Sequence, residues 1–491
     1  MRKFTLLGGL LTFCGAAFSQ YTTPDTGVTW GLQDLVTEAP ATVTFENGEY
    51  VIANDLTVSL TDQLLIEEDA VVKIAADVEI NVLGGFRVDA PDNILFTAVD
   101  NTQNFKGFRF EEGSVVYFKN ATITYGGGLR VLTETFEMYD SEVSYQGSGS
   151  ATSAITFSRG NPIVKDSRFI DNYQSAFGSG ANQMVSATLI GNYLEGNGTA
   201  NTNRPQINMG PGGTDSTKVI GNTVIGNRAN TKVGGISVSS LLGLDNYCVI
   251  EDNIIRDNRY GISVAGANSF GRISGNIIEN NDSENSPNVG GSGISIQTGG
   301  DSSYIYITAN EIRNNLWGVT VIGGARVNLG STDENYPNPG GNIFSNNGNG
   351  GETYALYNNT AFPIEAMNNC WIEGAEELTE ADVEGVITHE TDNSSLGLVN
   401  YAEFGCGSSL STDKGLTAFE FEMYPNPSTG TFTLQTEKEA SFEIVNHLGQ
   451  VVQKGNLSAG ANKVSTTLQS GVYYVVVNSG KAVANQKIVI R

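Results

Sequence analysis

One nine-residue pattern occurs seven times in this chain and constrains its fold more than any other feature. Each copy has two polar positions, here called slots, at a constant spacing. The copies align without gaps and begin 23 to 34 residues apart. This period is typical of solenoids, in which each repeat buries its apolar face only against its neighbours. The copies are VKDSRFIDN (164–172), LIGNYLEGN (189–197), VIGNTVIGN (219–227), IEDNIIRDN (250–258), ISGNIIENN (273–281), ITANEIRNN (307–315) and PGGNIFSNN (339–347).

Asparagine fills almost all of these slots, which lie five residues apart. The first slot holds Asn192, Asn222, Asn253, Asn276, Asn310 and Asn342, with Ser167 in the earliest copy. The second slot holds Asn172, Asn197, Asn227, Asn258, Asn281, Asn315 and Asn347. Asparagine tolerates left-handed backbone, and identical amides stacked about 4.8 Å apart can bond as a ladder. Because the flanking apolar residues recur two apart, the pattern predicts short strands joined at asparagine corners.

The repeats resemble those of right-handed parallel β-helix proteins, the architecture of pectate-lyase-like enzymes and of many secreted adhesins. The resemblance implies an all-β chain dominated by a right-handed parallel β-helix, and alternating segments near the C-terminus add a small β-sandwich. We expect the β-helix at 41–373, an N-terminal lead-in or cap at 20–40 and a C-terminal cap at 374–406. An open solenoid end exposes unpaired backbone, so caps are required.

The last 72 residues carry several motifs in order, among them YPNPSTGTF (424–432), the tetrapeptide GVYY (471–474) and a final basic segment, 487–491. This tail resembles the type A C-terminal sorting domain of the type IX secretion system of Bacteroidetes. We place the domain at 420–491, after a Gly/Ser/Thr-rich linker at 407–419. The resemblance implies contact with the secretion machinery and a secreted, extracellular or outer-membrane-surface protein.

The N-terminus and the cysteines agree with export. Residues 1–19 read as a signal peptide, since Arg2 and Lys3 precede an apolar run and small residues. No later apolar run is long enough to predict a transmembrane segment. Cys370 and Cys406 flank the end of the predicted solenoid and are the expected disulfide, whereas Cys248 occupies an inward position and is expected to be a buried thiol.

The charge of the chain argues against some partners. With 53 acidic and 27 basic residues, the net charge is −26 at pH 7. Such a chain is not expected to bind nucleic acid or an anionic membrane surface. No cofactor is predicted with certainty, but the many carboxylates leave calcium binding open.

A row of small polar residues suggests where a ligand could lie. The outward residues of the strands that close successive repeats are Asn208, Ser237, Ser263, Ser295 and Thr320. The loops before these strands would stand beside the row as a wall. They supply the predicted ligand-binding residues Arg204, Arg228, Lys232, Arg259, Tyr260 and Trp317. Guanidinium groups and aromatic rings in such a wall favour an acidic polysaccharide.

Three hypotheses for function follow. The leading one is a secreted or surface-displayed glycan-binding or adhesive protein that is not a catalyst. The alternative is a polysaccharide lyase whose arginines and lysine neutralise a uronate, although catalytic residues cannot be assigned. The third is a purely structural surface protein. The chain lacks the Asp-Asp pair and Gly-His-Gly turn of polygalacturonase-like hydrolases, which argues against that class.

Overall fold

The computed structural model describes residues 20–149, 151–299, 303–375, 377–406, 421–426, 428–436, 438–445, 451–469, 471–479 and 482–490. The predicted signal peptide and linker lie outside the described residues. The described chain divides into two compact units, one ending at Cys406 and the other formed by the residues after it.

The first unit is a parallel β-helix, as the repeats predict. Each full coil places one strand on each of three faces, which we call faces B, C and A in chain order. Ile163–Lys165, Arg168–Ile170 and Ser175–Ser179 form one such coil. Strands of successive coils pair in parallel and in register on every face. The register places one position of each repeat directly above the same position of the next.

Face A is a continuous sheet of fourteen strands. Its strands are Tyr21–Thr22, Leu56–Val58, Glu79–Val82, Gly107–Phe110, Leu129–Val131, Ser153–Phe157, Ser175–Ser179, Ile207–Met209, Ile236–Ser240, Ile262–Gly266, Ser292–Thr298, Trp317–Gly323, Leu356–Asn359 and Ile387–Thr388.

Faces B and C share two long strands in the early coils and are separate after them. Face B contains Thr29–Trp30, Gln63–Ile66, Gly85–Ala98, Val115–Thr124, Thr135–Tyr139, Ile163–Lys165, Thr188–Ile190, Gly213–Ile220, Asn246–Glu251, Ser269–Ser274, Tyr304–Thr308, Val327–Gly330, Ile364–Ala366 and Val399–Asn400. Face C contains Val43–Glu46, Glu49–Ile52, Ala70–Ile74, parts of the two long strands, Glu142–Ser144, Arg168–Ile170, Tyr193–Glu195, Thr223–Ile225, Ile254–Arg256, Ile277–Glu279, Glu311–Arg313 and Ile343–Ser345. A short hairpin, Gly348–Asn349 and Glu352–Thr353, projects from a late coil.

The alternation of apolar and polar residues sets the core. Side chains alternate across a strand, so every second residue points into the solenoid. In one coil Leu189, Leu194 and Ile207 are fully buried, one from each face. Early coils fill the interior with phenylalanine and later coils with isoleucine and valine. The result is a single continuous core along the whole solenoid.

The first asparagine slot forms a buried ladder at the corner between faces B and C. The Asn222 amide illustrates the geometry: its Oδ1 accepts from the Asn192 backbone N–H at 2.9 Å and from the Asn192 Nδ2 at 3.0 Å. Its own Nδ2 donates to Asn253 Oδ1 at 3.0 Å and to the Leu189 carbonyl at 2.9 Å. The ladder continues one coil beyond the aligned copies, to Asn369. Each amide therefore bonds the coils on both sides of it.

The second slot forms a ladder at the corner between faces C and A, and one rung differs from the sequence pattern. Asn227 is exposed, and its Oδ1 accepts from the Ala229 backbone N–H at 3.0 Å. Gln206 takes its place: it accepts from Asn197 Nδ2 and donates to Asn258 Oδ1, both at 2.9 Å. The longer glutamine side chain reaches the corner from the preceding coil, so the ladder remains continuous.

The N-terminal segment is held by one buried carboxylate. Asp62 is 1% exposed and accepts hydrogen bonds from the backbone N–H groups of Asp25, Thr26, Gly27 and Val28 at 2.9 to 3.0 Å. Burial opposes its ionisation, but hydrogen bonds from Thr23 and from this backbone outweigh burial and lower the pKa of Asp62 to about 2. The helix Leu32–Glu38 then packs Leu32 and Leu35 against the first coils.

A short helix, Glu380–Glu384, buries Val383 in the core near the C-terminal end of the solenoid. Thr379 and Asp382 cap it reciprocally, each accepting a hydrogen bond from the other's backbone N–H. Trp371 stacks on Phe344 of the last Asn-paired coil, with ring centroids 5.1 Å apart. Cys370 and Cys406 form a disulfide, and Cys248 is a buried free thiol.

The second unit contains two antiparallel sheets around a small core. One sheet has the strands Glu422–Tyr424, Thr431–Thr436 and Gly460–Ser465. The other has Val451–Leu457, Ala440–Val445, Gly471–Ser479 and Ala482–Ile490. Apolar residues of both sheets pack together, including Phe432, Leu434, Ile444, Val475 and Ile488. This is the small C-terminal β-sandwich that the alternating segments predict.

The replacement of Asn227 by Gln206 in the second ladder can be tested by mutation, because the sequence pattern and the structure assign the buried rung to different residues. Gln206→Ala removes a buried rung, taking the donor from the Asn258 Oδ1 and one acceptor from the Asn197 Nδ2, so we expect a loss of roughly 3 kcal/mol in unfolding free energy. Asn227→Ala, although aligned with the ladder in sequence, removes only a surface turn and should cost less than about 0.5 kcal/mol. Chemical denaturation measures both variants. Equal losses, or a larger loss for Asn227→Ala, would contradict the replacement.

Asp62 makes a prediction about pH. Because its pKa in the folded chain lies below the ordinary value, ionised Asp62 stabilises the fold above about pH 4, and this contribution is lost as pH falls toward 2. Asp62→Asn should therefore lower stability by roughly 2 kcal/mol at neutral pH and by little near pH 2. Unfolding of both proteins between pH 2 and 7 measures the difference. A difference that does not change over this range sinks the assignment.

Candidate functional site

A groove of about 340 Å³ lies on face A over four successive coils. Its floor contains Ser263, Ser295, Thr320 and Tyr357, which are register partners on neighbouring strands. The first three belong to the small polar row that the sequence predicts. The row arises because parallel pairing stacks one outward position of each coil above the next, at a spacing of about 4.8 Å.

Aromatic side chains form a platform at one end of the groove. The rings of Trp317 and Tyr357 stack with centroids 5.4 Å apart and planes at 26°. The ring of Tyr354 also contacts the Trp317 indole, with centroids 4.5 Å apart. The Trp317 Nε1–H donates to the Pro287 carbonyl at 3.0 Å, which fixes the indole orientation. This hydrogen bond and the two ring contacts position the indole.

Arg259 lines the groove, but its guanidinium group is paired with other groups of the protein. It is 8% exposed and forms an ion pair with Glu284. Its other guanidinium nitrogens donate to Asn203 Oδ1 and to the Val289 carbonyl. These contacts join three loops that are distant in sequence. Arg259 thus holds the groove wall at 287–290 in place, and its charge is balanced by Glu284.

Tyr260 lies next to Arg259 and also lines the groove. Its ring packs where a side chain on Gly234 would be: a Cβ at Gly234 would lie 2.2 Å from the tyrosine ring. Burial raises the pKa of Tyr260 to about 12. The phenol is therefore neutral at physiological pH and can both donate and accept a hydrogen bond.

The remaining predicted residues lie outside the groove lining. Arg228 donates to Asp282 at 2.7 Å and to Asp257 at 3.3 Å, and these contacts raise the pKa of its guanidinium. Lys232 is exposed on the same loop. Arg204 is exposed and its Nη1 lies 3.4 Å from the Thr152 carbonyl, toward the N-terminal part of face A. The structure therefore brings together Arg259, Tyr260 and Trp317 but not the three other cations.

Three exposed amides that the sequence pattern did not predict line the groove, those of Asn203, Asn288 and Gln297. Asn288 stands on the wall that Arg259 holds, and Gln297 lies on the floor two residues after Ser295. The outward parity of Gln297 on its strand was a usable signal, because residues i and i+2 share a face. No sequence signal placed Asn288, since its position depends on the path of its loop. Together these groups give a lining of hydroxyls, amides and aromatic rings.

A larger cavity, of about 1140 Å³, lies at the C-terminal cap. Its polar groups bond one another: the His389 Nδ1 accepts from the Val399 N–H at 3.0 Å and its Nε2 lies 3.0 Å from Glu384. The Tyr401 hydroxyl donates to the same carboxylate at 2.7 Å. Because these side chains satisfy one another as a structural network, we take the groove as the candidate site despite its smaller volume.

Neither a metal cluster nor a membrane helix is found in the part of the chain that the structure describes. Those residues include no group of three or more His, Cys, Asp or Glu side chains placed to hold a metal ion. They also include no helix with the length and apolar character needed to cross a bilayer.

The contrast between Arg259 and Arg228 can be tested by mutation. Arg259→Ala leaves Glu284 without its partner in a largely buried position and releases the loop, so we expect a loss of about 2 kcal/mol or more in unfolding free energy. Arg228→Ala removes exposed ion pairs and should cost about 1 kcal/mol or less. Thermal and chemical denaturation of the two variants gives the comparison. A costlier Arg228→Ala would contradict the assigned roles.

Comparison with known proteins identifies the second unit. No curated protein matches the chain significantly. Residues 422–491 match the family described as the secretion system C-terminal sorting domain. This match covers the two-sheet unit and includes the motifs YPNPSTGTF and GVYY. The chain therefore ends in a type IX secretion sorting domain, which directs it through the secretion machinery to the outside of the cell or to the cell surface.

Proposed function

We propose that the β-helix binds a glycan along face A and that the groove over the last coils is the principal binding site. The observation that carries this proposal is the fixed aromatic platform of Trp317 and Tyr357 at the end of a flat row of hydroxyls. A sugar ring has apolar C–H faces and a rim of hydroxyls. The aromatic platform can pack against the C–H face, and the row of hydroxyls can form hydrogen bonds with the sugar hydroxyls.

The polar groups of the groove suit hydroxyl groups of a ligand. Ser263 and Ser295 can donate or accept, as can the neutral phenol of Tyr260. The amides of Asn288 and Gln297 each offer a donor and an acceptor. Sites of this kind combine apolar contact with a few placed polar groups that fix orientation.

The shape of the floor supports an extended ligand. Ser263, Ser295, Thr320 and Tyr357 span three inter-coil steps, or about 14 Å at about 4.8 Å a step. This length accommodates a short oligosaccharide segment. Since Arg259 is paired with Glu284, the groove itself favours an uncharged segment over a uronate. Export by the sorting domain places this surface outside the cell, where polysaccharides are encountered.

The experiment is a glycan array with the full chain, followed by titration of the strongest binders with variants. Trp317→Ala and Tyr357→Ala should each weaken binding roughly tenfold or more, because each removes one ring of the platform. Tyr247→Ala, which removes a 37%-exposed aromatic residue from face B, is the matched control and should leave binding unchanged. Thermal midpoints show whether the variants remain folded. Equal effects of all three variants would place binding elsewhere.

The same glycans test for catalysis. A lyase releases unsaturated ends that absorb ultraviolet light, and a hydrolase releases reducing ends; binding alone releases neither. Incubation of each bound glycan with the full chain, with and without calcium, followed by both assays, covers the alternative of a polysaccharide lyase. Release of either product that is lost in Trp317→Ala would replace the binding proposal by an enzymatic one. An array without any bound glycan would favour a structural surface protein.

A further inference from the structure

Arg130 lies on the same outward row of face A as the groove, closer to the N-terminus. It is the register partner of Arg109 on one side and of Thr156 on the other. From Arg130 the row continues without a break to Ser263, five inter-coil steps or about 24 Å away. The two regions therefore belong to one continuous track on one rigid sheet.

The Arg130 guanidinium has no carboxylate partner among the described residues. Arg109 donates to Glu111 and is paired, whereas Arg130, half-buried on its strand, forms no ion pair or side-chain hydrogen bond within the described chain. Like charges on directly opposite strand positions destabilise a sheet. In a chain with 53 acidic and 27 basic residues, two adjacent arginines with one carboxylate partner are not explained by folding.

A third guanidinium approaches the same place from the loop wall. The Arg204 Nη1 lies 3.4 Å from the Thr152 carbonyl, and the Thr152 hydroxyl lies 3.3 Å from the Thr156 hydroxyl, next to Arg130 on the row. Beyond Thr156 the row is kept low by Gly178, where a Cβ would lie 2.3 Å from Ser153 Oγ. Gly178 thus adds no side chain to the track at this coil.

We propose that Arg130 and Arg204 form a subsite for an anionic substituent, a carboxylate or sulfate, on a glycan whose uncharged segment occupies the groove. This inference rests on the proposed glycan-binding function. Guanidinium groups bind such oxyanions through paired, charge-assisted hydrogen bonds. The ligand class is therefore a glycan of mixed character, with a negatively charged group five inter-coil steps from Ser263 in the groove and seven to eight steps from the aromatic platform.

The test compares glycans that share a backbone and differ in charge. Hydroxyethyl cellulose with carboxymethyl cellulose, and dextran with dextran sulfate, are titrated against the full chain at several salt concentrations. For the backbone that binds, the anionic form should bind about tenfold more tightly at low salt, since hydrogen bonds to charged groups are the stronger ones. Arg130→Gln should remove this advantage and leave the neutral form unaffected.

Arg256→Gln is the matched control, because Arg256 is an exposed arginine on face C, off the track. It should keep the full advantage of the anionic form. Equal affinity for the two forms, including no binding of either, overturns the subsite, as does an equal loss in Arg130→Gln and Arg256→Gln. Loss of binding in Trp317→Ala alone supports the groove without the subsite. Loss in Arg130→Gln alone supports an anion site and sinks the groove as the principal site.

Discussion

The buried amide ladders at two corners of the solenoid are the interaction on which the other features depend. A corner turns the backbone away from the strand pattern, so its N–H and carbonyl groups need partners inside an apolar core. Each asparagine supplies both, since its Oδ1 accepts from the preceding coil and its Nδ2 donates to the next. The same bonds fix the register between coils. A shift by one residue would turn the core positions to the solvent.

Register in turn creates the row of outward residues on face A. Because face A repeats one outward position per coil, small polar residues form a flat row. At a few coils this position or a neighbouring one holds a larger aromatic or charged residue. The aromatic pair Trp317 and Tyr357 marks one end, and Arg130 beside Arg109 marks another. The loops between faces C and A are free to vary in length, since the ladder carries the structural requirement at that corner. Variation there builds a wall without disturbing the sheet.

The wall shows how one residue type can serve different purposes. Arg259 is almost fully buried and binds three loops together, whereas Arg228 lies in solvent between two aspartates. Both guanidinium groups are paired with carboxylates, Arg259 with Glu284 and Arg228 with Asp282. The sorting domain adds the cellular setting, because it directs the chain outside the cell or to its surface.

The sequence by itself determined the architecture, because the relevant information is local and repeated. Asparagine slots, alternating apolar residues and the sorting motifs can be read without knowing the path of the chain. Only the tertiary structure decided that Gln206 replaces Asn227 in the ladder, since a longer side chain from the preceding coil reaches the same corner. It also separated Arg259 from Arg228, because their partners lie 56 and 54 residues away in the chain. Such long-range contacts between loops decide which residues line the groove, and no short sequence pattern encodes them.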